Sequence, residues 1–274
     1  MTTWLITGCS TGLGRALAQE VLDAGDDVVV TARHAERVAD LVEAHPEHAL
    51  AVSLDVTDPA QVRAAVQAGE ERFGGIDVLV NNAGYGYRGA VEEGDDDAVR
   101  ALFDTHVHGP VALLKAVLPG MRARRSGTVL NISSIGASVM PAGSGYYAAV
   151  KLALEGVSGS LRKEVAPLGI RVVAVEPGGF RTDFAGRSLT GTTTAIDDYA
   201  ETVGPRRVEN DTADGTQPGD PAAAARVLRE VVASDQPPAL LLLGSDAVQV
   251  VREARERDLA EIEAWEATSV STDF

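Results

Sequence analysis

Short apolar runs recur along the chain, separated by longer stretches in which apolar residues return every three or four positions. The short runs are Trp4–Thr7, Val28–Thr31, Ala49–Leu54, Ile76–Asn81, Gly127–Ile132, Ile170–Val175 and Ala239–Leu243. Apolar on both faces and rich in Val, Ile and Leu, they read as fully buried strands. The longer stretches, such as Gly12–Ala24, Pro59–Phe73 and Tyr146–Ala166, read as amphipathic helices. Asp58-Pro59 offers an N-cap followed by a proline of the first turn, and Gly25, Gly74 and Gly169 stand where helices should stop. Strand–helix alternation of this kind predicts α/β architecture: one doubly wound, seven-stranded parallel sheet with helices on both faces, spanning residues 1–274 as a single domain. One stretch, Gly186–Pro221, breaks the pattern with Gly, Thr, Asp and Pro. It is expected to be an irregular substrate lid.

Composition narrows the partners. Forty acidic residues against 24 basic ones give a formal charge of −16. Such a surface repels phosphate backbones and anionic bilayers, so no nucleic acid and no membrane partner is expected, and a small-molecule substrate is. Cys9 is the one cysteine, which excludes an intrachain disulfide and suits a reducing compartment. The first seven residues run straight into a strand with no basic or long apolar leader, and no apolar run approaches a membrane span of about 18 residues. A cytoplasmic location is the expectation.

Candidate chemistry begins at Thr7-Gly8-Cys9-Ser10-Thr11-Gly12-Leu13-Gly14, which follows the first strand and opens a helix. Glycines allow a tight turn and a close approach to a pyrophosphate, while the helix N-terminus offers free N–H groups. This position, at the head of a βαβ unit, points to a dinucleotide. The second strand ends in Thr31-Ala32-Arg33. Alanine stands where a carboxylate would hold a ribose 2′-hydroxyl, and a guanidinium that can pair with a 2′-phosphate follows. Arg33 thus either meets such a phosphate, as NADP(H) would carry, or is a solvated residue at a helix start. Arg37, one turn later, either adds charge or is merely exposed. A second cluster is Tyr147 and Lys151, four apart and therefore on one helix face. A nearby ammonium favours the phenolate and lowers the tyrosine pKa toward the working pH. Ser134 precedes Tyr147 by 13 residues, just after the fifth strand.

The Gly-x-x-x-Gly-x-Gly spacing together with Ser134…Tyr147-x-x-x-Lys151 resembles the short-chain dehydrogenase/reductase family, in its single-domain branch. The resemblance runs from residue 3 to about 183, and more loosely to about 265. Leu54-Asp55-Val56, Asn81-Asn82-Ala83-Gly84 and Pro177-Gly178-x-x-x-Thr182 match further family motifs. It implies a single-domain Rossmann fold. Gly8, Ser10, Thr11, Gly12, Leu13 and Gly14 would line the pyrophosphate, Asp55 and Val56 the adenine, Asn82, Ala83 and Gly84 the cofactor's length, and Pro177, Gly178 and Thr182 the nicotinamide side. It implies that Ser134 hydrogen-bonds the substrate oxygen, Tyr147 passes the proton, and Lys151 holds the nicotinamide ribose. The implied reaction is reversible hydride transfer between NADP(H) and a carbonyl/secondary alcohol pair, with reduction the preferred direction, as in carbonyl, retinol and hydroxysteroid-type reductases. A homo-oligomer, dimer or tetramer, is implied as well, built on the helices after strands four and five.

One position departs from the family. Its Phe-Asp-x-Asn-x-x-Gly reads here Phe103-Asp104-Thr105-His106-Val107-His108-Gly109. His106 replaces a catalytic asparagine whose main-chain carbonyl holds a water linking the lysine to solvent. Either any residue's carbonyl suffices, or the imidazole takes a direct part in the chemistry. Tyr85, Tyr87, Ile135, Val139, Met140, Tyr146, Phe180 and Phe184 are candidate wall residues, and suggest a medium-sized hydrophobic substrate. Ser133 reads as structural, His108 as a packing residue, and Asp95-Asp96-Asp97 as a helix cap. His34, His45 and His48 form no zinc pattern, so no metal is expected. Two other readings stay open: a non-redox enzyme (dehydratase, epimerase or cyclase), which His106 would support, and a non-catalytic NADP(H) sensor, which the Ser134, Tyr147 and Lys151 set opposes.

Overall fold

The computed structural model describes residues 1–182, 184, 188–212 and 215–274. Seven strands, β1 (Thr3–Ile6), β2 (Asp27–Ala32), β3 (Ala49–Ser53), β4 (Val78–Asn81), β5 (Gly127–Ile132), β6 (Ile170–Pro177) and β7 (Leu240–Leu243), form one sheet in the order β3-β2-β1-β4-β5-β6-β7. Every pairing in it is parallel. The longer helices are α1 (Gly12–Asp23), α2 (Pro59–Phe73), α3 (Asp96–Phe103), α4 (Gly109–Arg124), α5 (Gly145–Val165), α6 (Ala200–Thr212), α7 (Pro221–Ala233) and α8 (Ser245–Val270).

Alternation along each strand builds two separate cores, because successive side chains point to opposite faces. Trp4, Ile6, Val28, Val30, Val78 and Val80 pack beneath Leu17 and Val21 of α1 and Leu228 of α7. Leu5, Val29, Leu79 and Val129 point the other way, under α2, α4 and α5, where they meet Val62, Leu113 and Leu161. These side chains are essentially inaccessible, and each contributes about 1.5–3 kcal/mol by leaving water. The strand order reverses between β1 and β4, which opens a crevice at the carboxyl ends of these strands.

Local signals account for the helix ends. Asp58 accepts hydrogen bonds from the Ala60 and Gln61 amides, with Pro59 next. Asp95 accepts from the Ala98 amide at 2.8 Å and so caps α3. Gly25, Gly74 and Gly169 all adopt positive φ. The expected lid differs from its irregular reading. Residues 186, 187, 213 and 214 lie outside those described, but Leu189–Gly191 pairs in parallel with Gly86–Arg88 as a small separate ribbon, and α6 follows. Pro205 and Gly204 inside α6 disguise it in the sequence, since both residues ordinarily oppose helix interiors. Among the described residues, no helix is long and apolar enough to cross a membrane.

Candidate active site

The turn after β1 is shaped by contacts that leave no room for side chains. A Cβ on Gly8 would stand 3.0 Å from the Ala83 backbone, and one on Gly14 would stand 2.3 Å from Asn82 Nδ2 and 2.6 Å from the Gly8 carbonyl. Asn82 Nδ2 donates to the Thr7 carbonyl at 2.8 Å, and the Asn82 and Ala83 amides both donate to Thr7 Oγ1 at 2.9 Å. Gly12, at φ +63°, faces Thr182 across the crevice. Thr11 precedes α1 without a side-chain cap, and no acidic residue stands in the first turn. The opening N–H groups of α1 thus face the crevice with neither a capping side chain nor a repelling carboxylate, which fits a bound phosphate. Cys9 takes no part: it is buried, and burial pushes its thiol pKa up to about 12.

At the far end of the crevice Ala32 is buried and Arg33 exposed. Arg33 has no ion-pair partner among the described residues. Arg15, on α1, pairs with Asp40. Asp55 is fixed by bonds from the Thr57 amide (2.9 Å) and hydroxyl (2.7 Å). Val56 packs against Gly109 at the start of α4, where a Cβ would approach it to 2.9 Å.

Ser134, Tyr147 and Lys151 converge near the mouth of this crevice. Ser134 caps a short helix, Ile135–Val139, its Oγ accepting from the Gly136 amide at 3.0 Å. Gly136 lies between the serine hydroxyl and the Tyr147 ring, a Cβ there standing 3.3 Å from one and 3.5 Å from the other. Lys151 is buried, donates to the Ile132 carbonyl at 2.8 Å, and holds its Nζ 5.6 Å from the Tyr147 ring centroid. Burial pushes the Lys151 pKa down to about 7, opposed by Glu155 one turn further along α5. The lysine therefore titrates near neutrality.

His106 lies in a π-helical turn, Asp104–His108, between α3 and α4. Its ring is 1% exposed and stands edge-on to Tyr147 with centroids 5.8 Å apart. Nε2 donates to the Tyr85 carbonyl at 2.7 Å, and the buried Nδ1 has no partner among the described residues. Burial, and then the Lys151 charge, hold the His106 pKa well below the usual histidine value, so the ring is neutral at working pH. His108 does not pack as expected. It is exposed and bonds Asp104 at 2.8 Å, because the wider π turn rotates it outward.

The predicted wall residues divide. Phe184 stacks obliquely on Tyr147 at 5.9 Å, and Tyr85 packs on His106 at 5.6 Å. Tyr146 instead donates its hydroxyl to the Val91 carbonyl at 2.7 Å. Tyr87 is buried against it, and Phe180 packs into the core beneath α1 and α7. Ser133 donates to Glu155, which agrees with a structural role.

Three supporting carboxylates escaped the sequence reading. Asp246, in the first turn of α8, accepts from the Gly179 amide at 2.7 Å and fills the space beside Gly178, which pins the Pro177-Gly178 turn. Buried Glu93 accepts from the Ala90 and Ile196 amides, both at 2.8 Å, and so ties the segment after Leu189–Gly191 to the domain. Glu176, fully buried just before Pro177, accepts from Ser138 Oγ at 2.8 Å. Burial raises its pKa to about 7. A carboxylate's partners lie up to 103 residues away, so only Asp246 carried a local signal, its place beside a helix N-terminus.

Known proteins resemble this one along its whole length. Oxidoreductase BOA17 of Botryotinia fuckeliana is 40% identical over 270 residues, 98% of each chain. A short-chain dehydrogenase from Streptomyces avermitilis, solved by crystallography, is 44% identical with a TM-score of 0.94 and covers 100% of both chains. A 3-ketoacyl-(acyl-carrier-protein) reductase of Brucella melitensis, solved in complex with NADH, is 26% identical with a TM-score of 0.73, covering 88% of this chain and 96% of its own. A family model described as short chain dehydrogenase matches residues 2–192. By sequence, by sheet order and by this match, the chain belongs to the short-chain dehydrogenase/reductase family of oxidoreductases.

Proposed function

We propose that this protein is an NADP(H)-dependent reductase of ketones on a medium-sized hydrophobic substrate. The observation that carries this reading is the grouping of Ser134, Tyr147 and Lys151 beside a glycine turn whose helix N-terminus is uncapped. Bound NADPH supplies the hydride. The protein's own residues do the rest. Gly8, Ser10, Thr11, Gly12, Leu13 and Gly14 receive the pyrophosphate, and Asn82, Ala83, Gly84, Pro177, Gly178 and Thr182 flank the nicotinamide half. Asp55 and Val56 bound the adenine. Arg33, beside the buried Ala32, pairs with the 2′-phosphate.

Ser134 donates a hydrogen bond to the substrate oxygen, where negative charge grows as the carbonyl carbon is reduced. Tyr147 hands its phenolic proton to that oxygen. Lys151, when charged, favours the phenolate left behind and binds the nicotinamide ribose. His106, neutral and held by the Tyr85 carbonyl, shapes the π turn and takes no proton. This argues against the non-redox alternatives. Phe184 and Tyr85 form apolar walls beside Tyr147, which supports a hydrophobic substrate. The described part of the predicted lid, 188–212, held by Glu93 at the Ile196 amide, serves to cover the site. Small residues on the exposed face of α5 (Ala149, Gly156 and Gly159) support assembly as a dimer or tetramer.

The test is NADPH turnover against a panel of aliphatic, aryl and cyclic ketones, with wild type beside Tyr147→Phe and Tyr146→Phe. Tyr147→Phe should bind NADPH normally and lose at least about 100-fold in turnover, while Tyr146→Phe retains catalysis. Equal loss in both variants, or a preference for NADH in titration, overturns the reading.

A further inference from the structure

The apolar stripe of α8 does not end where the domain ends. Ala247, Val251 and Ala254 are buried against β7 and the short helix Ile135–Val139. On the same side of the helix, Ile262 and Trp265 continue the row past the body, 67% and 61% exposed, with Leu259 on the flank at 55%. Ile262, Trp265 and Val270 stand open along this overhang, with Asp258, Glu261 and Glu266 among them. From residue 256 to the end every side chain is exposed. A helical segment this short, without a core to pack on, is marginal in water, so the overhang calls for a partner.

The charges on α8 say which partner. Its middle carries Arg252, Arg255 and Arg257, and its outer half carries Asp258, Glu261, Glu263 and Glu266 with no basic residue. The overhang is thus acidic, while the stem, where Asp246, Glu253 and Glu256 offset the three arginines, is neutral overall but carries Arg252 and Arg255 on one side. Written antiparallel against itself with Leu259 opposite Leu259, the helix sets Arg252 opposite Glu266, Arg255 opposite Glu263 and Val248 opposite Val270. At 3.6 residues per turn, all seven of these positions fall on one side of the helix, centred near Leu259. Among the described residues Arg252, Glu263 and Glu266 have no ionic partner; Arg255 forms a salt bridge with Asp258 at 3.7 Å and donates to Ser138 Oγ at 3.3 Å, so Arg252 is the free cation of the pairing face.

We infer that two copies of this chain pair through α8, antiparallel about a two-fold axis at Leu259. The symmetry accounts for Trp265 as well. Two antiparallel helices are exchanged by an axis perpendicular to their plane, so both bodies lie on the same side of that plane, displaced along it in opposite directions. The body-facing stripe of α8 lies about a quarter turn from the pairing face. Each overhang therefore lays Ile262 and Trp265 toward the partner's body, where the partner's own stripe is rooted. An isologous contact of this kind closes on itself and leaves no open face to polymerise.

Sedimentation velocity at about 50 µM, physiological salt, tests the pairing. Leu259→Glu, which puts like charges on the axis at a position outside the buried core, should halve the assembled mass, from dimer to monomer or from tetramer to dimer. Arg252→Glu should weaken association about tenfold, and the double variant R252E/E266R should restore it, because the swapped pair is again complementary. Independently, Leu259→Cys should form a disulfide-linked dimer under mild oxidation, with the buried Cys9 silent. A monomeric wild type leaves the face to some other protein and overturns the inference. An unchanged mass for Leu259→Glu, failure of the double variant to recover, or absence of a cross-link in Leu259→Cys does the same.

Discussion

Single residues set the selectivity of the proposed chemistry. Arg33 is exposed at the end of β2 beside a buried alanine, and contributes nothing visible to folding. Arg33→Ala should therefore leave the melting temperature unchanged while weakening NADPH binding about 10- to 100-fold, as expected for one charge-assisted bond, with NADH binding nearly unaltered. Calorimetric titration of both cofactors reads this directly; equal loss for both would remove the 2′-phosphate assignment. His106 is set by burial. Its pKa is depressed, so the unfolded chain takes up a proton below the ordinary histidine value that the folded chain refuses. The stability it gives is present above about pH 6.5 and is lost as pH falls below it. His106→Asn should retain turnover and flatten that part of the acid-unfolding curve. A variant that lost turnover about 100-fold, together with a pH–rate inflection on the acid side of the ordinary histidine value, would show the imidazole at work in the reaction.

Elements matter because the site lies where they meet. The glycine turn, the Asn82 turn, the Ser134 helix and the Pro177 turn all lie at the carboxyl ends of adjoining strands, β1, β4, β5 and β6. The small ribbon, Gly86–Arg88 with Leu189–Gly191, joins that edge to the segment leading into α6, and Glu93 bolts it with bonds to two amides. Glu93→Ala leaves the buried Ala90 amide and the part-buried Ile196 amide unmet and should cost about 1–3 kcal/mol locally. Hydrogen exchange should then quicken by roughly tenfold or more over residues 189–199 while the sheet stays protected. With substrate, KM should rise more than kcat falls. Uniform loss of protection across the whole sheet would mean that Glu93 supports the domain and not the lid.

At the scale of the whole molecule, burial of charge makes stability depend on pH. Glu176 keeps a proton up to about pH 7 in the fold, whereas the unfolded carboxyl has lost it above about 4.5. Its raised pKa means that stability falls as pH rises between those values and stays lower above them. Glu155 and Ser138 face it from α5 and the Ser134 helix, and Arg255 reaches toward it from α8. Glu176→Gln removes this titration. Its melting temperature relative to wild type should improve by about 2–4 °C on going from pH 5 to pH 8. A constant difference at both pH values would show that the carboxyl is not the group being titrated.

Local chemistry was enough to read the frame from the chain itself. The seven strands emerge within two residues of their predicted ends, because runs apolar on both faces have one stable use, and Asp58-Pro59, Asp95 and three glycines end or cap helices through bonds inside one turn. The Tyr147/Lys151 pair was legible for the same reason: helix geometry alone brings residues four apart together. What tertiary structure alone decided is everything carried by distant contacts. It sealed His106 under Tyr85 and Tyr147, turned Tyr146 away toward Val91, and pushed the Lys151 pKa to about 7. It also recruited Glu93, Glu176 and Asp246 from separate segments. A carboxylate's desolvation, or a hydrogen bond across 67 or 103 residues, has no local signature, because it depends on which elements the sheet order makes neighbours.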